Sequence, residues 1–218
     1  MLLFERSASE EWVSSPRRRA VRALSFGMRI LAILLVVALA GCGSKDASRF
    51  HGVVFDPPEP APAVMLTRGD GSTFDLRQQH GAVVLLFFGY THCPDVCPTT
   101  LSDWVKIKRG LGRDADRVRF VFITVDPARD TPRATQQYAA GFDRDFIGLS
   151  GDSAQVAQAQ TLMHVTSSRE YGAPSGEYTM SHAAQWFVVD REGRVRLLYP
   201  PGTPVDGVVA DLKRLLRA

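Results

Sequence analysis

Cys93 and Cys97 carry the strongest chemical signal in the chain, in the run Cys93-Pro94-Asp95-Val96-Cys97 with Pro98 directly after it. A spacing of four puts two side chains on one face of a helical turn. Two sulfurs so placed can hold one soft metal ion, close a disulfide, or cycle between dithiol and disulfide. Thiolate is both the nucleophile and the metal ligand, and the positive end of a helix dipole favours it.

The flanking sequence says what positions them. Residues 83–88, VVLLFF, have the length and composition of a buried strand, which Gly89 breaks. Pro98 has no N–H to give, which a helix tolerates only in its first turn. Asp95 then reads as the N-cap, its carboxylate accepting from backbone N–H groups further on. Leu101, Trp104, Val105, Lys108 and Leu111 continue at helical spacing. The cysteines therefore lie where a buried strand ends and a helix begins, the place where α/β folds put their chemistry.

The rest of the chain reads as alternating elements. Residues 64–66 and 73–76 flank the turn signal Arg68-Gly69-Asp70-Gly71 and predict a β-hairpin. Residues 118–125 are a second near-continuous apolar strand, suited to a parallel sheet. Asp126-Pro127-Ala128-Arg129-Asp130-Thr131-Pro132 is a loop leading into a helix near Pro132, with Asp126 and Asp130 read as helix caps and turn formers. A short strand at 146–149 and a helix capped by Asp152 or Ser153 follow, running through Met163. Residues 166–180 read as a loop, 184–189 and 195–199 as strands around a tight turn, and 204–216 as an amphipathic helix. This order predicts an α/β, thioredoxin-like fold with an N-terminal β-hairpin extension, an analogy that does not by itself give function.

The net charge is +3 over 218 residues, but residues 1–42 hold six arginines and three glutamates, so the remainder is neutral and carries no nucleic-acid signal. Residues 30–40 are eleven continuous apolar residues, the length of a signal-peptide h-region and short for a membrane span. Leu39-Ala40-Gly41-Cys42 follows and resembles a bacterial lipobox, whose cysteine becomes the lipidated N-terminus. Residues 1–42 are thus expected to be a signal peptide with lipidation at Cys42, and Met28 reads as the true start. Residues 43–62, rich in proline toward their end, are expected to be a semi-rigid tether, of which Val53-Val54-Phe55 packs on the domain. The folded domain then covers residues 63–218, held on the outer face of a cell membrane by a lipid anchor. No cysteine is left over for a disulfide framework.

Three runs together carry a family resemblance: FFGYTHCPDVCPTTL, ITVDPARDTP and YTMSHAAQWFVVD. The chain resembles the Sco/SenC family, membrane-tethered copper proteins of thioredoxin fold, over about residues 50–217. The resemblance implies that Cys93, Cys97 and His182 bind copper as Cu(I) or Cu(II). The types agree: thiolates select Cu(I), and an imidazole accommodates both oxidation states. It also implies delivery to a respiratory oxidase, with the copper centre of cytochrome c oxidase subunit II as the receiving site, by a protein expected to be a monomer. The chain departs from the family pattern at Ser181, where an acidic residue is usual beside the histidine.

A second expectation is a thiol–disulfide oxidoreductase acting through Cys93 and Cys97 on the cysteines of the copper-receiving partner. The Cys-x3-Cys spacing and the lack of proline in residues 178–185 argue against a general one. A peroxidase fits poorly, because Thr91 precedes Cys93 by two positions rather than three. His92 neighbours Cys93 but should point away from it, Met163 and His164 read as packing or surface, Met180 is a weak soft-ligand candidate, and His51 and His80 carry no signal.

Overall fold

The computed structural model describes residues 50–172 and 178–217. Cys42, the lipobox and residues 43–49 of the expected tether lie outside the described residues. The architecture grows from the strand β4 (Val83–Gly89), whose seven residues are all buried. It pairs in parallel with β5 (Val118–Thr124) on one side and antiparallel with β9 (Trp186–Val189) on the other. A central strand covered on both faces needs an unbroken apolar run, and residues 83–88 supply it.

Eight strands form one sheet in the order β1-β10-β9-β4-β5-β6-β2-β3. The others are β1 (Val53–Pro60), β2 (Met65–Arg68), β3 (Thr73–Asp75), β6 (Ile147–Ser150) and β10 (Arg194–Tyr199). The expected hairpin is β2–β3, and it joins the far edge through antiparallel pairing with β6. Helices α1 (Val96–Leu111), α2 (Pro132–Ala140), α3 (Ser153–Leu162) and α4 (Val205–Leu215) complete the α/β fold. Helix α1 buries Cys97, Leu101, Trp104, Ile107 and Leu111, one stripe at spacings of three and four. Trp104 anchors it, with its ring edge-on to Phe87 and Phe146 at centroid distances of 6.3 and 5.8 Å. Asp152 caps α3 through a full capping box with Gln155.

Four expectations need correction. Within residues 43–62 the packed part is longer than the expected Val53-Val54-Phe55: β1 takes up Val53–Pro60 and pairs antiparallel with β10. Its prolines are compatible with that because β1 is an edge strand with a bulge between Val54 and Glu59. Residues 166–180 are not one loop. They contain β7 (Ser167–Tyr171), and β8 (Tyr178–His182) pairs with it antiparallel, residues 173–177 between them lying outside the described residues. Asp95 sits at the N-cap of α1 but its side chain makes no capping bond. Asp126 and Asp130 cap nothing either. Thr131 caps α2, accepting from Ala134 N–H, while both acids are buried and accept from other segments.

Candidate metal centre

The end of β4 and the start of α1 fix the two cysteines. Cys93 lies in the turn after β4, its N–H donating to the Tyr90 carbonyl at 3.3 Å. Cys97 is in the first turn of α1, buried, with its own N–H donating to the Cys93 sulfur at 3.3 Å. That bond uses one of the unpaired donors of a helix N-terminus, and it favours negative charge on Cys93. Gly89 permits the approach, since a Cβ there would stand 2.8 Å from the Cys97 sulfur and 2.7 Å from the Phe122 ring. Both cysteines are free thiols.

His182, the last residue of β8, completes the group. Its Nε2 is 3.7 Å from the Cys97 sulfur, and the three potential ligand atoms lie within 4.8 Å of one another. Its Nδ1 is 3.1 Å from the Ala183 carbonyl, which can only accept, so Nδ1 is the donor there and Nε2 is the ring atom turned to the sulfurs. The ring stands against Phe87 and Tyr90, at centroid distances of 5.8 and 5.9 Å. These contacts orient an imidazole the way a metal ligand needs.

The thiols are electrostatically unequal. The hydrogen bond from Cys97 pulls the Cys93 pKa down to about 3, with His182 and the N–H of Asp95 and Cys97 adding to the effect against the cost of burial. Donating to Cys93, together with its own burial, pushes the Cys97 thiol far up. A pocket of about 320 Å³ opens beside them, lined by Tyr90, Cys93, Pro94, Val96, Met180 and His182, so the site is reachable from outside.

The three residues that the sequence singles out come together in the fold. His92 is not among them: it is half exposed, with Nδ1 3.0 Å from the Thr91 hydroxyl. Met163 is buried in the core, His164 takes a left-handed backbone (φ 53°), and Met180 lines the pocket wall. Tyr178, Arg129 and Asp126 were missed as a group. Tyr178 donates its hydroxyl to Asp126 at 2.9 Å, and Arg129 pairs with the same carboxylate.

A thioredoxin-like domain with two thiols at a helix N-terminus and an oriented imidazole defines a soft-metal or thiol-redox protein. The family model described as SCO1/SenC matches residues 61–217, and the chain belongs to that family. A copper-bound structure of ScoI from Bradyrhizobium japonicum is 39% identical, with a TM-score of 0.66 over 72% of this chain and 99% of that one. The apo Sco1 solution structure from Thermus thermophilus is 40% identical, with a TM-score of 0.70 over 77% of this chain and 97% of that one. The SCO2-like protein RC0895 of Rickettsia conorii is 33% identical over 126 residues, which span 57% of this chain and 62% of that protein.

Proposed function

We propose that the chain is a copper-binding metallochaperone that carries its metal on Cys93, Cys97 and His182 and passes it to a respiratory oxidase. The observation that carries this reading is the convergence of two thiols and one oriented imidazole within 4.8 Å at the edge of an open pocket. The donor set fits copper: thiolates bind Cu(I) strongly, and the imidazole Nε2 serves either oxidation state. Three ligands leave room for a fourth, so an incoming thiolate or imidazole from a receiving protein can bind before Cys93 or His182 lets go. The receiving site is the copper centre of cytochrome c oxidase subunit II or one like it. The protein acts as a monomer, anchored by lipid on Cys42 to the outer face of a cell membrane. Among the described residues no helix is long and apolar enough to cross a membrane.

A second reading is a reductase for the cysteines of the same partner. It is favoured by one observation: a half-exposed Cys93, whose thiol pKa is held low, stands beside a buried Cys97, whose thiol pKa is pushed up, the pattern of an attacking and a resolving thiol. Copper stoichiometry and absorption separate the two. One copper per chain with an intense thiolate-to-Cu(II) band, lost in His182→Ala, establishes the Cys2His site. No retained copper, with clean dithiol–disulfide cycling, favours the reductase.

A further inference from the structure

The loop after β5 supplies no metal ligand, yet it touches both halves of the site. On one side, Asp130 is fully buried and accepts from the Thr91 N–H and hydroxyl at 2.9 and 2.6 Å, two positions before Cys93. On the other, Asp126 accepts from the Tyr178 hydroxyl at 2.9 and 3.0 Å, at the start of the strand that ends in His182. Arg129 pairs with Asp126, donates through Nη1 to the Tyr178 carbonyl at 3.0 Å, and places its guanidinium 3.8 Å from the Tyr178 ring centroid. The two arms are joined by Thr124, whose hydroxyl donates to Asp130 at 2.7 Å and accepts from the Asp126 N–H at 2.9 Å.

The hairpin needs such a hold. Among the described residues β7 and β8 pair only with each other, apart from the main sheet. A two-stranded hairpin is marginal in water without further packing. In β8, Tyr178, Met180 and His182 are half-buried while Thr179 and Ser181 are exposed, so the anchor and the ligand share one face. At roughly 3.3 Å per residue they stand about 13 Å apart along the strand. A hairpin loosened at Tyr178 carries His182 with it.

We infer that the loop formed by residues 126–130 braces the cysteine turn against the histidine hairpin, and that Tyr178 is the positioning residue of His182. This rests on the copper reading for its consequence, though not for its structure. The test compares wild type, Tyr178→Phe and, as a control on the exposed face of the same strand, Thr179→Ala, each as the purified full chain. Three quantities are read: amide hydrogen exchange at residues 178–182 in the metal-free protein, nitrogen hyperfine coupling in the Cu(II) electron-resonance spectrum, and copper retention against a competing chelator. Tyr178→Phe is expected to keep one copper per chain and a cooperative fold, its urea midpoint lowered by no more than the worth of that one hydrogen bond. Exchange at 178–182 rises and copper retention falls, each about tenfold, the scale of one lost hydrogen bond to a carboxylate, and the histidine coupling weakens. Thr179→Ala matches wild type. If Tyr178→Phe also matches wild type in all three while His182→Ala loses the coupling, the brace is overturned and the copper site stands. If wild type retains no copper, the copper reading falls, and unchanged exchange in Tyr178→Phe overturns the brace independently.

Discussion

Thr91 gives both its N–H and its hydroxyl to one carboxylate, that of Asp130, which lies thirty-nine positions further along the chain and is fully buried. The Thr124 hydroxyl is a third donor to the same group. Removing the acceptor strands the buried Thr124 hydroxyl and both Thr91 donors, and an unsatisfied buried donor costs about 1–3 kcal/mol. Asp130→Ala should therefore lower stability by about 2–4 kcal/mol, seen as a lower urea midpoint with an unchanged slope. Asp130→Asn should recover part of the loss, because the amide oxygen still accepts from one donor while its NH2 faces another. An Asp130→Ala midpoint within error of wild type would remove this residue from the account of how the cysteine turn is held.

The unequal thiols set a pH dependence. An ordinary thiol titrates near 8.5, so its alkylation rate falls about tenfold for each pH unit below that. Cys93, held down at about 3, is already thiolate well below neutral pH. Its alkylation by iodoacetamide in the metal-free protein should stay nearly flat from pH 8 to pH 5. Cys97, pushed up and buried, should remain slow throughout. Peptide mass spectrometry after timed alkylation at each pH reads both sites. A tenfold fall per unit at Cys93 contradicts the assignment. Copper loading should protect both thiols.

Gly89 offers a probe of site geometry that removes no ligand. A methyl at this position meets the Cys97 sulfur and the Phe122 ring at separations below van der Waals contact. Overpacking of this kind costs about 1–3 kcal/mol. Gly89→Ala should lower the urea midpoint and shift the energy of the thiolate-to-Cu(II) band, since the displaced atom is a proposed ligand. A destabilised protein with an unaltered band places the strain on the Phe122 side.

Much of this was legible in the chain because apolar pattern and burial coincide. VVLLFF and residues 118–125 could only be strands buried on both faces, and the stripe of Leu101, Trp104 and Leu111 could only face them. The candidate site was legible through motifs, since Cys93 and Cys97 are local in sequence while His182 is joined to them only by folding. What escaped was held by long-range polar contacts with no periodic signature. The hairpin of β7 and β8 leaves most of its residues exposed or half-buried, so Ser-Ser-Arg-Glu-Tyr gives no alternation to read. Asp126 and Asp130 look like caps beside Pro132, and only the fold shows that their donors are Tyr178 and Thr91. The prolines of β1 read as a spacer because an edge strand tolerates what a central one cannot.

That edge strand has a consequence for where the domain starts. Asp211 of α4 is buried and accepts from the N–H groups of His51 and Gly52 at 2.8 and 3.1 Å, from the Tyr199 hydroxyl at 3.1 Å, and it lies 3.1 Å from His51 Nδ1. The chain is thus pinned just before β1, which then covers the edge of β10. A protein beginning at Ala63 would lose both the pin and the covering strand, and β10 would become an open edge prone to pairing with other chains. It should melt at a lower temperature than one beginning at Phe50 and associate on gel filtration. Asp211→Ala should cost about 2–4 kcal/mol by stranding several donors, whereas His51→Ala, whose ring is more than half exposed, should cost under about 1 kcal/mol because its backbone bond survives. Equal effects of the two substitutions would mean that the imidazole, and not the backbone, makes the pin. Equal stability of the two truncations would return residues 53–60 to the tether.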